Sequence, residues 1–300
     1  MPQIHSDSLN LYNLFYSVRR RLSEVTAGFW TDLEVYQALN RAHQDIAIKS
    51  NCLKKEVTVT TISSTQEYDL KDNSFGDIVN IDEDGVSFNI NGSNTNRLPL
   101  IFKHKWQLNK EFPGWQGIAA GIPQYFYYDK TTKTIGLYPK PNSANAGAYL
   151  HINGSYRPRI LHAGTASTGS STTLTLASGS STAPDPSNVD DYYNGIFIEI
   201  YDGTGQGDKA EITDYVGSTK VCTVNFTTTP DNTSVYGMIP QIPEEAHPIM
   251  EPYALWKLLS KGGSRTVLAN NYRDEYFGEL NSFIGDFGVD SGSINKETYR

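Results

Sequence analysis

The stretch "DGTGQGDKAEITDY", residues 202–215, decides between two kinds of fold for this chain. A phosphate-binding loop carries its glycines between a strand and a helix, because the N-terminal amides of the helix hold the anion. Here the glycines are Gly203, Gly205 and Gly207, and Asp208 stands where a Walker sequence needs lysine. The residues that follow alternate with a period of two, which is typical of a strand. We therefore predict a tight turn between two strands, in which glycine supplies positive φ.

The neighbouring residues extend this β pattern over a module of short strands. Five segments with alternating apolar and polar residues are separated by turn-forming residues: 172–177, 194–201, 209–216, 220–226 and 234–239. Removing residues 162–239 would join a strand that ends at Leu161 to a helix start within 240–249. We predict that residues 162–239 form an inserted small β-barrel or sandwich module.

Both ends of the chain carry helical periodicity. Residues 8–23 place apolar side chains at helical spacing. A second helix begins with "TDLE", a capping box in which Thr31 is the N-cap and Glu34 stands three residues later. Two further helices are predicted near the C-terminus, over 249–263 and 264–287, and the second places Leu268, Tyr272, Tyr276, Leu280 and Phe283 on one face.

The middle of the chain, residues 55–161, alternates with a period of two and predicts a mostly antiparallel β domain. Within it, "FGDIVNIDEDGVSFNI" at 75–90 predicts two strands around an Asp-Gly turn. The aromatic stretches at 111–117 and 125–129 suit either a sugar-binding platform or core packing, and core packing is favoured.

Together these segments predict an α+β protein. The N- and C-terminal helices, 1–54 plus 243–287, are expected to pack as a bundle, with the antiparallel β domain over 55–161 in the middle. The inserted module covers 162–239, and residues 288–300 form a polar C-terminal tail without a core pattern.

The charge of the chain argues against sequence-specific DNA binding. The net charge is −8, whereas a nucleic-acid-binding protein normally presents a basic face. The cluster Arg19, Arg20 and Arg21 is more simply a solvated helix face. An acidic surface would instead let DNA pass without adhering to it.

Signals for secretion and for membrane insertion are lacking. The first ten residues have no basic-then-apolar pattern, and no run approaches ~18 apolar residues. We therefore expect synthesis in a cytoplasm and no membrane span. Cys52 and Cys222 have no metal or redox spacing and are predicted to be buried free thiols.

Catalytic patterns are equally sparse. The six histidines show no metal-binding spacing: His5, His43, His104, His151, His162 and His247. "IDEDG" at 81–85 lacks a twelve-residue calcium loop and is interpreted as a solvated hairpin turn. Glu244 and Glu245 suit a helix start, where they complement the helix dipole, better than a catalytic pair. We predict no enzyme activity, no cofactor and no metal site.

Four features of the module resemble a β module that recurs in virion proteins of tailed bacteriophages. They are the Gly-x-Gly-Gln-Gly-type turn at 203–207, Tyr215, Gly-x-Thr at 217–219 and Pro-Asp-x-Thr-Ser-x-Tyr at 230–236.

Three flanking segments resemble head-to-tail adaptor, or connector, proteins of such phages. They are "FWTDLEVYQALNRAHQDIA" at 29–47, "GIPQYFYYDKTTKTIGLYPKP" at 121–141 and "IPEEAHPIMEPYALWKLLSKGG" at 242–263. In order they give a helix pair, a strand that closes on "LYPKP", and a Tyr-Ala-Leu-Trp helix. The inserted module departs from the shortest such adaptors.

The resemblance implies a ring below the portal, expected to have twelve subunits, that extends the DNA channel and carries the tail. The implied partners are the portal protein, tail proteins and further copies of the chain. The implied location is the portal vertex of the virion, after assembly in the host cytoplasm. We expect the terminal helices and tail to supply assembly contacts: Tyr272, Tyr276, Phe283, Phe287 and Tyr299. An equally simple interpretation makes the phenylalanines part of the chain's own core.

Other functions stay open at this point. The chain resembles virion proteins broadly enough to be a tail-tube, nozzle or decoration protein. A glycan-binding β protein is a further alternative, which would need carboxylates clustered beside exposed aromatic residues.

Overall fold

A computed structural model describes residues 9–70, 78–90, 96–179, 184–261 and 265–290. The fold is mixed α+β with several antiparallel sheets. The chain divides into two compact units, a central unit of residues 51–157 and a flanking unit of residues 1–50 and 158–300. The helices are α1 (Leu11–Arg21), α2 (Asp32–Ser50), α3 (Lys105–Glu111), α4 (Met250–Ser260) and α5 (Thr266–Asp290).

The described strands of the central unit form two four-stranded sheets, ordered β1-β8-β3-β4 and β2-β7-β6-β5. They are β1 (Lys54–Thr60), β2 (Glu67–Asp69), β3 (Ile78–Asn89), β4 (Arg97–Pro99), β5 (Ile101–Phe102), β6 (Tyr125–Asp129), β7 (Thr134–Tyr138) and β8 (Tyr149–Tyr156). All pairings are antiparallel except that of β5 with β6.

The core of the central unit draws apolar side chains from both of its sheets. Phe88 on β3, Phe126 on β6 and Leu150 on β8 are among its buried members. A second cluster joins Trp115 to Tyr127 and is completed by Leu108 of α3. These aromatic residues are buried, so the prediction of core packing for 111–117 and 125–129 is confirmed at Trp115 and Tyr127.

The strand β3 corrects the prediction of a hairpin at the Asp-Gly dipeptide. β3 runs unbroken from Ile78 to Asn89, and both of its halves pair with β8. The register shifts between Ile81 and Val86, which marks an irregular bulge at "IDEDG". The hairpin prediction was wrong because a long neighbouring strand offers both halves a partner, which the dipeptide itself cannot reveal.

The helices of the flanking unit begin where local chemistry predicts. Thr31 and Glu34 form the predicted capping box, since the Glu34 amide donates to Thr31 Oγ1 and the Thr31 amide donates to Glu34 Oε2. Helix α4 packs against α1, α2 and α5. Its Leu258 carbonyl accepts a hydrogen bond from Trp30 Nε1 at 2.9 Å, which ties α4 to the start of α2.

Arg19 overturns part of the solvated-face interpretation of the arginine cluster. Arg20 and Arg21 are exposed, but the Arg19 side chain is fully buried. Its guanidinium donates to the Trp30 carbonyl at 2.7 Å and forms an ion pair with Asp32. A buried guanidinium is tolerated only with such partners, and these come from the end of the α1–α2 loop and the first residue of α2 rather than from α1 itself.

The remaining strands of the flanking unit form two further four-stranded sheets, ordered β10-β11-β15-β14 and β13-β12-β16-β9. They are β9 (Ala163–Thr165), β10 (Thr168–Gly169), β11 (Thr173–Thr175), β12 (Phe197–Asp202), β13 (Lys209–Glu211), β14 (Asp214–Val216), β15 (Val221–Thr223) and β16 (Val235–Met238). Neither described sheet closes on itself, so the barrel alternative was wrong.

One predicted strand of this region is in fact two. "KAEITDYV" divides into β13 and β14, which belong to different sheets. Buried Ala210 and Ile212 are followed by two exposed residues and then by buried Tyr215, so the alternation shifts by one residue where the chain changes sheet.

The glycine stretch connects β12 to β13, which pair antiparallel. Gly203, Gly205 and Gly207 have φ of 80°, 85° and 89°, so the predicted turn with positive φ is confirmed. Cys52 and Cys222 are both buried, as predicted, and neither forms a disulfide within the described residues.

Candidate assembly surface

Helix α5 carries four of the five residues that the sequence singled out for assembly, Tyr272, Tyr276, Phe283 and Phe287. Its buried side chains recur at helical spacing: Ala269, Tyr276, Leu280 and Phe283. This stripe faces α4 and α2, which α5 contacts. The helix is therefore fixed to the flanking unit along one side.

Tyr276 is the anchor of that contact. It is fully buried, and its hydroxyl donates a short hydrogen bond to the Asp45 carboxylate on α2. Asp45 also pairs with Lys49 at 2.7 Å. Burial, and then the bond to Asp45, raise the pKa of Tyr276 well above its usual value. The phenol is thus held neutral as a donor, within an aromatic group that includes Tyr253 at 5.1 Å.

The other predicted assembly residues have different settings. Phe283 is buried and stacks on the partly buried Phe287, with ring centroids 5.4 Å apart. Tyr272 is partly buried, and Tyr299 lies outside the described residues. The structure therefore brings Tyr276, Phe283 and Phe287 together on one helix. Whether they meet another subunit stays a prediction.

Sequence reasoning missed the apolar residues that α5 exposes. Val267 is 77% exposed, Leu268 43% and Phe277 37%. Leu268 had been placed on the buried face, but Ala269 takes that position. Because Val267 and Leu268 are adjacent on a helix, a single buried stripe cannot hold both side chains. This adjacency was the signal in the sequence that α5 exposes apolar residues.

The sheet β13-β12-β16-β9 packs against α1, so it is joined to the helices. Asn10 caps α1 by accepting from the Asn13 amide at 3.0 Å, and its Nδ2 donates to Glu199 on β12 at 2.8 Å. The helix comes so close that a Cβ on Gly237 would lie 2.7 Å from the Asn10 side-chain oxygen. Gly237 on β16 is therefore required by this close approach.

The residues that flank the predicted module on its two sides contact α2. Asn40 accepts from the Leu161 amide at 2.7 Å and donates to the Leu161 carbonyl at 3.1 Å. One turn later His43 Nε2 accepts from the Gln241 amide at 3.0 Å. Burial lowers the pKa of His43 to about 3, so the imidazole is neutral and can act as this acceptor.

Chemistry of other kinds finds no support in the described ranges. Within them, no group of three or more His, Cys, Asp or Glu could hold a metal ion. No helix among the same residues has the length and apolar character that crossing a bilayer requires. His162 and His247 are buried among other residues of this chain, and His5 lies outside the described residues.

Comparison with known proteins bears on this arrangement of helices, sheets and exposed apolar residues. Residues 9–220 match the family described as SU10 adaptor protein, and this match covers more than half of the chain. The chain belongs to the SU10 adaptor protein family. No curated protein matches.

The family consists of phage head–tail adaptors, and membership supports a structural role in the virion. It implies contacts with other head and tail proteins, and such adaptors are generally not enzymes. The match ends before β15, so α4, α5 and their exposed apolar residues lie outside it.

Proposed function

We propose that this SU10-family chain forms a ring below the portal, joins the phage head to the tail and extends the DNA channel. The observation that carries the proposal is the family match over residues 9–220. Twelve copies are the expected number, since a portal-bound ring would follow the symmetry of its template. The acidic net charge of −8 suits a channel wall that DNA crosses without sequence-specific contact.

A ring requires complementary exposed surfaces on each subunit, and this chain exposes residues suited to that role. Head-to-tail contacts require two different complementary patches on each copy. Exposed apolar residues are present on the flanking unit at Val267 and Phe197 and on the central unit at Trp106 and Ile101. We assign the outward side of α5, with Tyr272 and Phe287 at its margin, to contact with the portal or a neighbouring copy.

The helices of the flanking unit are proposed to act as a bundle, with residues 162–239 as a module inserted between the central unit and α4. The pairing of the first strand of the module, β9, with its last, β16, supports this, because it keeps the two ends of the segment adjacent. The attachment of Leu161 and Gln241 to neighbouring positions of α2 supports it as well. The module would then project a surface for a tail component.

The test is native mass by mass photometry, with and without the portal protein of the same phage. We expect a subunit of about 33 kDa that adds to the portal ring in multiple copies, or that closes into a ring alone. A chain that stays monomeric and ignores the portal would overturn the proposed function.

A matched pair of variants locates the contact on α5. Val267→Glu with Leu268→Glu places two charges in the exposed apolar pair, and the desolvation cost should reduce the number of bound copies at least tenfold. Asn281→Glu adds a charge at an exposed position of the same helix and should leave binding unchanged. Equal binding by both variants would remove α5 from the interface.

A further inference from the structure

A groove between α2 and α4 carries positive charge in an otherwise acidic protein. It has a volume of about 180 Å³ and is lined on the α2 side by Glu34 and Arg41 and on the α4 side by Lys257 and Lys261. Pockets for small molecules usually measure about 300–1,000 Å³. The groove therefore suits one or two protruding side chains better than a free ligand.

The carboxylates near this groove are already paired. Glu34 forms an ion pair with Lys261, and Asp45 pairs with Lys49. Across the described ranges of the chain, Arg41 and Lys257 have no ion pair, although both are exposed. Two positive charges are thus left over where the helices meet.

Lys257 is held in position beside the groove. Its ammonium lies 3.5 Å from the centroid of the Trp256 ring, a cation–π contact. Partial burial lowers the pKa of Lys257, and the charges of Lys49 and Arg41 add to this, whereas the nearby Asp45 acts in the opposite direction. An incoming carboxylate would relieve this mutual repulsion.

The bulge of β3 presents the complementary charges. Asp82 pairs with Lys54 at 2.6 Å, whereas Glu83 and Asp84 are exposed and have no ion pair in the part of the chain that the structure describes. The Asn153 side chain donates to the Gly85 carbonyl at 3.1 Å, which fixes the bulge against β8. The central unit therefore holds two unpaired carboxylates on an ordered backbone.

We propose that Glu83 and Asp84 of one copy dock into the groove at Arg41 and Lys257 of the next copy. The occupant is a second copy because its bulge supplies two carboxylates where the groove lacks two. The contact joins two different surfaces, which is the heterologous type that closes rings. The inference rests on the proposed ring and names one of its contacts.

The experiment is a charge swap in the full chain. One variant carries Glu83→Lys and Asp84→Lys, a second carries Arg41→Glu and Lys257→Glu, and a third combines all four changes. Copies per assembly are counted by mass photometry with and without portal, at low and at physiological salt. Circular dichroism verifies the fold of each variant. The first pair of changes lies on exposed bulge positions whose side chains have no ion pair within the described residues.

Each two-site variant should lose at least tenfold in self-association, and the combined variant should recover most of it, because the swapped charges attract again. Association of the natural chain should weaken as salt rises. If the natural chain assembles and neither reversal weakens it, or the swap fails to restore it, the contact is overturned and the ring stands. If the natural chain never assembles, with or without portal, the proposed function and this contact are both overturned.

Discussion

Two acidic, glycine-containing stretches serve opposite purposes in this protein. The turn at 202–208 joins two paired strands and uses its carboxylates internally: Asp202 accepts from the Gly203 amide at 2.8 Å, and Asp208 accepts from the Thr228 amide at 2.6 Å. The bulge at 81–85 lies within one strand, β3, where it shifts the register, and it leaves Glu83 and Asp84 exposed.

The difference teaches how to separate a structural acid from an available one. A carboxylate that accepts backbone amides satisfies donors which would otherwise be unpaired, so its loss is felt in stability. A carboxylate with no such partner contributes little to stability and is free to meet another molecule. The following predictions test that division.

The largest effect is expected at the turn, from Gly203→Ala. The φ of 80° disfavours any side chain, and a Cβ there would lie 2.1 Å from the Thr233 carbonyl oxygen. Backbone must move, so we expect the free energy of unfolding to fall by about 3 kcal/mol. Urea denaturation followed by circular dichroism measures it.

Gly207→Ala is the matched control, because Gly207 has a similar φ of 89° but nothing within 4 Å of an added Cβ. Only the conformational cost applies, about 1 kcal/mol. Equal losses in the two variants would mean that the close approach to Thr233 contributes nothing.

The next largest effect is expected on acidification, which should destabilise the flanking unit more than the central unit. In the flanking unit, His162 Nδ1 accepts from Tyr236 and Nε2 donates to the Pro184 carbonyl, while burial lowers the pKa of His162 to about 4. Because the folded pKa lies below the unfolded value, stability is full above pH ~6.5 and is lost as pH falls towards 4. Between pH 7 and pH 5 the loss from this group is about 2 kcal/mol.

Hydrogen exchange at the two pH values can detect this loss segment by segment. We expect protection of β9 and β16 to fall about 20–30-fold after correction for intrinsic rates. In the central unit the hydrogen bond from Arg97 lowers the pKa of Glu56, and the one from Tyr127 lowers that of Glu67, so their contributions fade only below pH ~4.5. Equal losses in both units would contradict the assignment to the buried histidines of the flanking unit, His162 and His43.

The bulge should respond to Gly85→Ala by a smaller amount. A Cβ there would lie 2.8 Å from Asp82 Cβ and 3.0 Å from the Asn153 carbonyl oxygen. Crowding of this kind costs about 1–2 kcal/mol. Gly121→Ala in the same unit is the control, since its Cβ would meet Pro139 at an ordinary 3.6 Å. A loss at Gly85 no larger than at Gly121 would show that the bulge is loosely packed.

The sequence predicted those features whose chemistry is local. Thr31 and Glu34 are three residues apart, so a capping box is visible in four letters. The glycines of the turn likewise predict positive φ at their own positions. An amphipathic stripe on α5 was predicted for the same reason, although its phase was misplaced at Leu268.

What could not be predicted depends on distant partners. The bulge follows from the pairing of β3 with β8, which lies beyond β7 in the chain. Burial of Arg19 depends on Trp30 and Asp32, which a helical wheel of α1 does not contain. The groove needs Arg41 from α2 and Lys257 from α4, far apart in sequence. Such sites arise from packing between distant segments, which the periodicity of the sequence does not reveal.

The smallest effects provide the sharpest division between turn and bulge. Asp208→Ala leaves the Thr228 amide without its acceptor and should cost about 1 kcal/mol in the free energy of unfolding. Asp84→Ala removes a carboxylate without an ion pair in the described ranges and should change stability by less than about 0.5 kcal/mol. The same change should weaken association between copies, whereas Asp208→Ala should leave association intact. If Asp84→Ala destabilised the monomer as much as Asp208→Ala, the bulge carboxylate would be a structural group, and its availability to a neighbouring copy would have to be abandoned.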